Sequence, residues 1–198
     1  MRIMENKRMR KALIAYGTRH GATADTSQVI AETLRRGGFE VEVADTKKEK
    51  IQSISDYDLV IVGSGIQMGR WTSGPEKFLK KYQKELANKK VAIFVSCGRA
   101  TPLSQGEKRK EEMDEGKMKY LEEIATKYNL KPVAMGFFGG CYDFNKMSWF
   151  LRKTMSSVKP KLEAAGAKQL KPGVYDLRDL DAIRSWAKQV VKLVESTS

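Results

Sequence analysis

The pattern that most restricts the fold of this chain is an alternation between short, continuous apolar runs and longer segments with helical periodicity. Residues 12–16, 59–62 and 91–95 are unbroken apolar runs of strand length, as expected of strands that are covered on both faces. Residues 39–43 alternate apolar and polar side chains, and residues 133–138 form a further run that ends in two glycines. The sequence therefore predicts five strands, with the runs 59–62 and 91–95 at the centre of the sheet.

Helical segments separate these strands. From Ala24, apolar residues recur at helical spacing until the glycine pair at residues 37–38. The predicted helical segments are 24–36, 75–86, 108–128, 146–164 and 179–195. Parallel neighbours in a sheet need crossovers of a dozen or more residues, so strands that alternate with helices predict a doubly wound parallel α/β sheet with helices on both faces. Such folds bind their ligands outside the carboxyl ends of the strands.

Length and composition suit a single folded domain. The chain has 198 residues, of which 41% are hydrophobic and 31% charged. A chain of this length is expected to form one hydrophobic core. Residues 1–10 have no apolar period and are predicted to be a flexible basic tail, which leaves residues 11–198 as the domain. No window approaches the roughly 18 apolar residues of a membrane helix, and no secretory leader is evident, so we expect a cytoplasmic protein.

A polar loop joins the first strand to the first helix. It contains, in order, Thr18, Arg19, His20, Gly21, Ala22 and Thr23. Backbone N–H groups at the start of a helix bind anions with the help of the helix dipole, and the two threonine hydroxyls add donors. Gly21 allows the backbone to close around a ligand. The loop is therefore predicted to bind a phosphate, with an ordinary connecting loop as the weaker alternative. Two roles stay open for His20, a contact with the phosphate and a position facing water.

Other ligand sites of doubly wound folds have signatures that this loop lacks. Neither the G-x-G-x-x-G of dinucleotide folds nor the G-x-x-x-x-G-K-[ST] of P-loop proteins occurs here. A response-regulator domain needs acidic residues at the end of the first strand to hold Mg²⁺, and Tyr16, Gly17 and Thr18 stand there instead. A phosphomonoester of the FMN type is the ligand that remains.

Residues 18–23 resemble the T-x-T-G-x-T phosphate loop of flavodoxins, with His20 in place of the usual hydroxyl residue. They are more similar still to the T-R-D-G-x-T loop of the quinone-dependent protoporphyrinogen oxidases of bacteria, which have the flavodoxin fold. The resemblance extends over most of the chain from Lys11, including residues 63–70 and the aromatic, basic segment after the fifth strand. It implies a flavodoxin-like sheet of strand order 2-1-3-4-5 and a non-covalent FMN. It also implies that residues 18–23 bind the phosphate, and that the loops after the third and fourth strands flank the flavin ring.

The residues expected to contact that ring come from two loops. They are Gly65, Ile66, Gln67, Met68, Gly69 and Trp71 after the third strand, and Ser96, Cys97, Gly98 and Arg99 after the fourth. Gly65 and Gly69 are candidate hinges, and Trp71 is either a stacking residue or a core anchor. Cys97 is interpreted as a small hydrophobe at a strand end. No catalytic side chain and no metal ligand is predicted.

The chain is strongly basic, with 37 Lys and Arg against 24 Asp and Glu and a net charge of +13. Within residues 146–164, Met147, Phe150, Leu151, Met155 and Val158 fall on one helical face. This helix is expected to pack on the sheet, with peripheral contact with an anionic membrane or a quinone as the alternative. No nucleic-acid module is recognisable.

Two functions follow from these features. The first is an FMN-binding redox protein that passes electrons to a partner protein, and the alternative is a quinone-dependent protoporphyrinogen oxidase or a related FMN oxidoreductase. Both need the same flavin site, and flavin itself carries out such oxidations. Because reduced flavin tends to carry negative charge, Arg70 or Arg99 near it makes the flavin less strongly reducing than that of acidic flavodoxins. The oligomeric state is open, and a homodimer is one option.

Overall fold

A parallel β-sheet forms the centre of the computed structural model, which describes residues 8–19, 21–101, 103–154, 156–164 and 166–196. The strands are β1 (Arg10–Gly17), β2 (Phe39–Asp45), β3 (Leu59–Gln67), β4 (Arg70–Trp71), β5 (Lys90–Ser96), β6 (Ala134–Phe138), β7 (Cys141–Asp143), β8 (Lys168–Lys171) and β9 (Val174–Asp176). The α-helices are α1 (Ala22–Arg36), α2 (Ser73–Leu86), α3 (Gly106–Lys117), α4 (Glu123–Lys127), α5 (Trp149–Thr154), α6 (Lys159–Ala164) and α7 (Leu180–Glu195).

The order of the parallel strands is β2-β1-β3-β5-β6, and the two-residue β4 pairs antiparallel with the end of β3. Since β5 and β6 are the fourth and fifth predicted strands, the predicted order is confirmed. Gly17 of β1 pairs with Ser64 of β3, and Gly65 of β3 pairs with Ser96 of β5. The carboxyl ends of the three central strands therefore lie level, at the edge where the sequence places the ligand.

Two helical layers cover the sheet and explain the continuous apolar runs. Alternate residues of one strand enter different cores: Val60 and Val62 pack on the side of α2, and Ile61 packs on the side of α1 and α7. All three are fully buried. A strand that is covered on both faces needs an apolar residue at every position, so the predicted central strands and the helices on both faces are confirmed.

One long helical stretch with a change of pitch lies between β5 and β6. α3 passes into a π-helical turn at Met118–Glu122, and α4 continues from it. The predicted helix at residues 108–128 is thus present, with a wider turn at its centre. The indole N–H of Trp71 donates a hydrogen bond of 2.7 Å to the carbonyl oxygen of Tyr120 in this turn. The turn is therefore tied to the end of β3, which is its neighbour in the ligand region.

The predicted single helix at residues 146–164 is wrong. The segment contains α5 and α6 joined by a 3₁₀ turn, and it lies beside an antiparallel sheet of order β7-β9-β8 that the sequence did not predict. Pro160 is the second residue of α6, where a proline is tolerated but a helix arriving from the amino side is stopped. Of the predicted apolar stripe, Met147 and Val158 pack on a small core, whereas Phe150 is 64% exposed. Met155 lies outside the described residues.

The predicted basic tail, residues 1–10, is described only from Arg8 onward, and Arg10 already begins β1. Across the described part of the chain, no helix has the length and apolar character that crossing a membrane requires.

Candidate flavin site at the carboxyl edge of the sheet

The predicted site loops meet at the carboxyl edge of the sheet. A Cβ atom built on Gly65 would lie 3.0 Å from Oγ1 of Thr23, so the start of α1 packs directly on the end of β3. The Oγ of Ser96 lies 3.5 Å from Oγ1 of Thr26, one turn further along α1. The three loops that the sequence assigns to the ligand are therefore neighbours in space.

The loop before α1 has the geometry of an anion cradle. The N–H of Gly21 donates a 3.0 Å hydrogen bond to Oγ1 of Thr18, and Gly21 has φ +101°, a conformation that favours glycine. Thr23 is buried and Arg19 is exposed. Among the described residues, no side chain caps the start of α1, so its first amides are available to an anion. His20 lies outside the described residues.

A buried arginine braces this cradle from the other end of the chain. Arg178, whose side chain is 7% exposed, forms a two-pronged ion pair with Asp176 at 2.8 Å. It also reaches the carbonyl oxygen of Ala22 at 3.3 Å and the carboxylate of Asp25 at 3.0 Å. Burial raises the pKa of Asp176, but the hydrogen bonds and charge of Arg178 outweigh it, and the pKa lies below its usual value. Arg178 thereby fixes the first turn of α1 to β9.

The loop predicted at residues 65–71 is a β-hairpin. Gly65, Ile66 and Gln67 belong to β3, and Gln67 pairs with Arg70 across a two-residue turn. The turn residues Met68 and Gly69 have φ +48° and +72°, the positive values that tight hairpin turns require. Met68 is 93% exposed at the tip, whereas Trp71 is 5% exposed in the core. This placement agrees with the anchoring role of Trp71 and leaves little of its ring for a ligand.

The fourth predicted loop follows β5 directly. Ser96 and Cys97 are buried, Gly98 is half-buried and Arg99 is exposed. Burial raises the pKa of the Cys97 thiol to about 11, although backbone hydrogen bonds and the charge of Arg99 oppose the shift. A thiol with such a pKa stays protonated near neutral pH, in keeping with a packing role. Arg99 forms a 3.2 Å ion pair with Glu115 on α3.

A cavity of about 1000 Å³ opens beside this loop, and we call it the ring cavity. Its wall includes Ile66 of the hairpin together with Cys97, Gly98 and Arg99. Two tyrosines that sequence reasoning did not assign, Tyr120 and Tyr142, complete the wall. A Cβ atom on Gly98 would overlap the hydroxyl of Tyr142, so this glycine allows the ring to approach the loop.

A second cavity, of about 960 Å³, lies on the β2 side of the hairpin. Thr18, Arg19, Gln67, Met68 and Trp71 line this cavity and not the first one. The predicted site residues are thus divided between the two cavities by the hairpin. Gly21, Ala22, Thr23, Gly65, Gly69 and Ser96 line neither cavity.

A doubly wound sheet of this order, with an uncapped helix start and an aromatic cavity at its carboxyl edge, is the architecture of flavodoxin-like flavoproteins. The chain belongs to the flavodoxin domain family, whose pattern matches residues 13–168. It is accordingly a flavodoxin-like redox protein that transfers electrons through a flavin.

Relatives and solved structures agree with that placement. The chain is 23% identical over 185 residues to the protoporphyrinogen IX dehydrogenase [quinone] of Escherichia coli K12, with 93% of this chain and 97% of the relative covered. It superimposes on the two-electron reduced flavodoxin of Megasphaera elsdenii with a TM-score of 0.52 and 16% identity, over 91% of this chain and 98% of that one. Against the rubredoxin:oxygen oxidoreductase of Desulfovibrio gigas the TM-score is 0.55 and the identity 16%; 94% of this chain spans only 36% of that protein.

Proposed function

We propose that the flavin is FMN, held without a covalent bond, with its phosphate at residues 18–23 and its ring in the ring cavity. The observation that carries this proposal is the contact between the start of α1 and the ends of β3 and β5. An uncapped helix start binds a phosphate, and ligands of doubly wound sheets lie outside the carboxyl ends of the strands.

Each part of the chain then has one task. The amides and hydroxyls of residues 18–23 bind the phosphate, and Ile66 and the Gly98 backbone lie against the ring. Tyr120 and Tyr142 shield the ring from water, which tunes the energy of its charged reduced form. Bound FMN supplies the one- and two-electron chemistry, and the protein supplies position and electrostatics.

A matched pair of threonines on α1 tests the phosphate assignment. Thr23 lies in the first turn at the proposed site, whereas Thr33 is equally a buried threonine of the same helix with its hydroxyl bonded to the carbonyl oxygen of Val29. Replacing Thr23 by Val should weaken FMN binding by roughly tenfold, the cost of one charge-assisted hydrogen bond. Thr33→Val should leave FMN affinity unchanged in the same fluorescence titration. Equal losses in both variants would contradict the assignment.

The second candidate function is oxidation of a reduced organic substrate with a quinone as electron acceptor. The ring cavity supports it, because its lining contains apolar Leu103 and Val158 and three cations, Lys108, Arg109 and Lys161, against one carboxylate, Glu112. A flat, apolar molecule with acidic groups matches this lining. The Escherichia coli relative carries the name of such an enzyme, so protoporphyrinogen with a quinone is the substrate pair to assay.

A basic, aromatic surface on α5 supports contact with an anionic membrane, where quinones reside. Trp149 and Phe150 are 76% and 64% exposed, their rings lie 6.0 Å apart, and Arg152 and Lys153 follow on α5. Exposed aromatic rings beside cations are typical of interfacial anchors.

Vesicle binding and quinone turnover separate the two functions. FMN-loaded protein should sediment with vesicles containing 30% phosphatidylglycerol and be reoxidised by a quinone dissolved in them, and Trp149→Ser/Phe150→Ser should lose both properties. Met9→Ser removes an apolar side chain of similar exposure elsewhere and serves as the control. Retention of vesicle binding in the double variant would exclude this surface, and reoxidation by an acidic partner protein alone would favour the electron carrier.

A further inference from the structure

The cavity on the β2 side of the hairpin, named here the basic cavity, has a lining of one charge sign. Arg19, Lys47, Arg70 and Lys77 line it, and neither Asp nor Glu does. These four residues come from four separate segments: the loop after β1, the loop after β2, the hairpin, and the first turns of α2. Four like charges that converge from separate segments raise the local potential, and a bound anion offsets their repulsion.

The four cations form no ion pair with any described residue. Within the described ranges, none of the four has a carboxylate oxygen within 4.0 Å, whereas Arg99, Lys127 and Arg178 each do. The carboxylate of Asp45 accepts a hydrogen bond from the backbone N–H of Lys47, but this side chain is buried and forms its ion pair with Lys48. The described carboxylates therefore leave these four cations without a direct ion pair.

The floor of the basic cavity is rigid. A Cβ atom on Gly17 would overlap Thr72 and Pro75, and one on Gly74 would overlap Thr46, so β1, α2 and the loop after β2 are in direct contact. Oγ1 of Thr46 donates a 2.9 Å hydrogen bond to the carbonyl oxygen of Tyr16. The hydroxyl of Ser73, along with the first amides of α2, adds neutral donors to the wall.

The basic cavity borders the proposed flavin site and differs from it in most of its lining. Its lining includes Thr18 and Arg19 but neither Thr23 nor the loop from Ser96 to Arg99, and the hairpin stands between it and the ring cavity. Its one strongly exposed apolar side chain is Met68, while Trp71 is buried. The lining thus recognises charge and offers no platform for an aromatic ring.

We propose that the basic cavity binds a second ligand, a small phosphorylated molecule that carries a diphosphate or two phosphate groups, next to the flavin. Lysine ammonium groups, hydroxyls and helix-start amides are the donors that phosphates use in proteins. A volume of about 960 Å³ accommodates a molecule of metabolite size. A ligand in the basic cavity contacts Met68 and Arg70, so its binding affects the conformation of the hairpin that borders the flavin.

Calorimetric titration of the full chain, saturated with FMN, with inorganic pyrophosphate tests this proposal. Wild-type protein should bind pyrophosphate, and Lys47→Gln/Lys77→Gln should bind it at least about tenfold more weakly, because two of the four cations are removed. Lys80→Gln/Lys84→Gln is the matched control: it removes the same charge from the exposed outer face of α2 and should leave the affinity unchanged.

Three results would overturn the proposal. They are no heat of binding in the wild type, equal weakening in both double variants, and displacement of pyrophosphate by FMN, which would make the cavity a part of the flavin site. Tighter binding of citrate than of pyrophosphate would contradict the phosphate assignment. The titration can also be run on protein without FMN, so a failure of FMN binding and a failure of pyrophosphate binding are distinct results.

Discussion

At the scale of single residues, the site depends on small groups that allow close approach. Gly98 lies beneath the hydroxyl of Tyr142, and Gly65 lies against Thr23. Neither glycine has a positive φ, so the requirement is one of space and not of backbone conformation. A side chain at either position displaces a neighbour that borders the proposed flavin.

Gly98→Ala is expected to weaken FMN binding by roughly tenfold or more, because the added methyl group displaces Tyr142 from the ring cavity. Removing the displaced hydroxyl relieves the closest overlap, so Gly98→Ala/Tyr142→Phe should recover part of the lost affinity. Fluorescence titration with FMN measures both variants. The steric explanation fails if the double variant binds FMN no better than Gly98→Ala.

Cys97 provides a prediction about pH. Its pKa in the folded protein is about 11, against an ordinary value of 9.0, so between these two values the folded state retains a proton that the unfolded state loses. The stability that this proton contributes is complete below pH 9 and is lost as the pH rises towards 11, by up to about 1.4 kcal/mol per pH unit. Urea unfolding of wild type and Cys97→Ala over this range checks it: the wild type should lose more stability than the variant, and parallel curves would contradict the assignment.

At the scale of elements, Arg178 joins β9 to the start of α1, so the small antiparallel sheet supports the phosphate loop. Arg178→Ala leaves Asp176 buried without its partner and should cost about 3 kcal/mol of unfolding free energy. It should also weaken FMN binding, since the first turn of α1 loses its brace.

The control for that substitution is Arg184→Ala, which breaks an exposed pair with Asp181 and should cost less than about 1 kcal/mol. Urea unfolding and FMN titration of both variants are the measurements. Similar losses of unfolding free energy and of FMN affinity in Arg178→Ala and Arg184→Ala would show that Arg178 does not stabilise the start of α1.

Sequence reasoning recovered the parallel sheet because each strand carries its own signal. A run such as residues 91–95 must be apolar throughout to be covered on both faces, and the chain shows it locally. The small sheet escaped prediction because β8 is exposed along its whole length and β7 and β9 have three residues each. In such short strands, tertiary contacts decide the structure and the local pattern does not.

The same distinction applies to the site. The proposed phosphate loop consists of consecutive residues, whereas Tyr120 and Tyr142 reach the ring cavity from a π-helical turn and from β7. No motif in the sequence around these two tyrosines indicated a role in the site, because only the topology of the fold brings them together. The position of Tyr142 just beyond the glycines after β6, at the carboxyl edge, was the one available indication.

At the scale of the whole molecule, the net charge of +13 sets the electrostatic background of the flavin. Arg99 lies on the wall of the ring cavity, and Arg70 lines the basic cavity across the hairpin. A positive field stabilises an anionic reduced flavin, so we expect a less strongly reducing flavin than in acidic flavodoxins. Each exposed charge contributes less than about 1 kcal/mol in water, and salt reduces it further.

The measurement that tests the central claim most directly compares the binding of FMN and riboflavin to the full chain by quenching of flavin fluorescence. The two ligands share the ring and differ in the phosphate that residues 18–23 are proposed to hold. FMN should bind on the order of 100-fold more tightly than riboflavin, equivalent to about 2.7 kcal/mol from the phosphate. Equal affinities, or no binding of FMN, would contradict a phosphate loop at the start of α1 and with it the proposed FMN site.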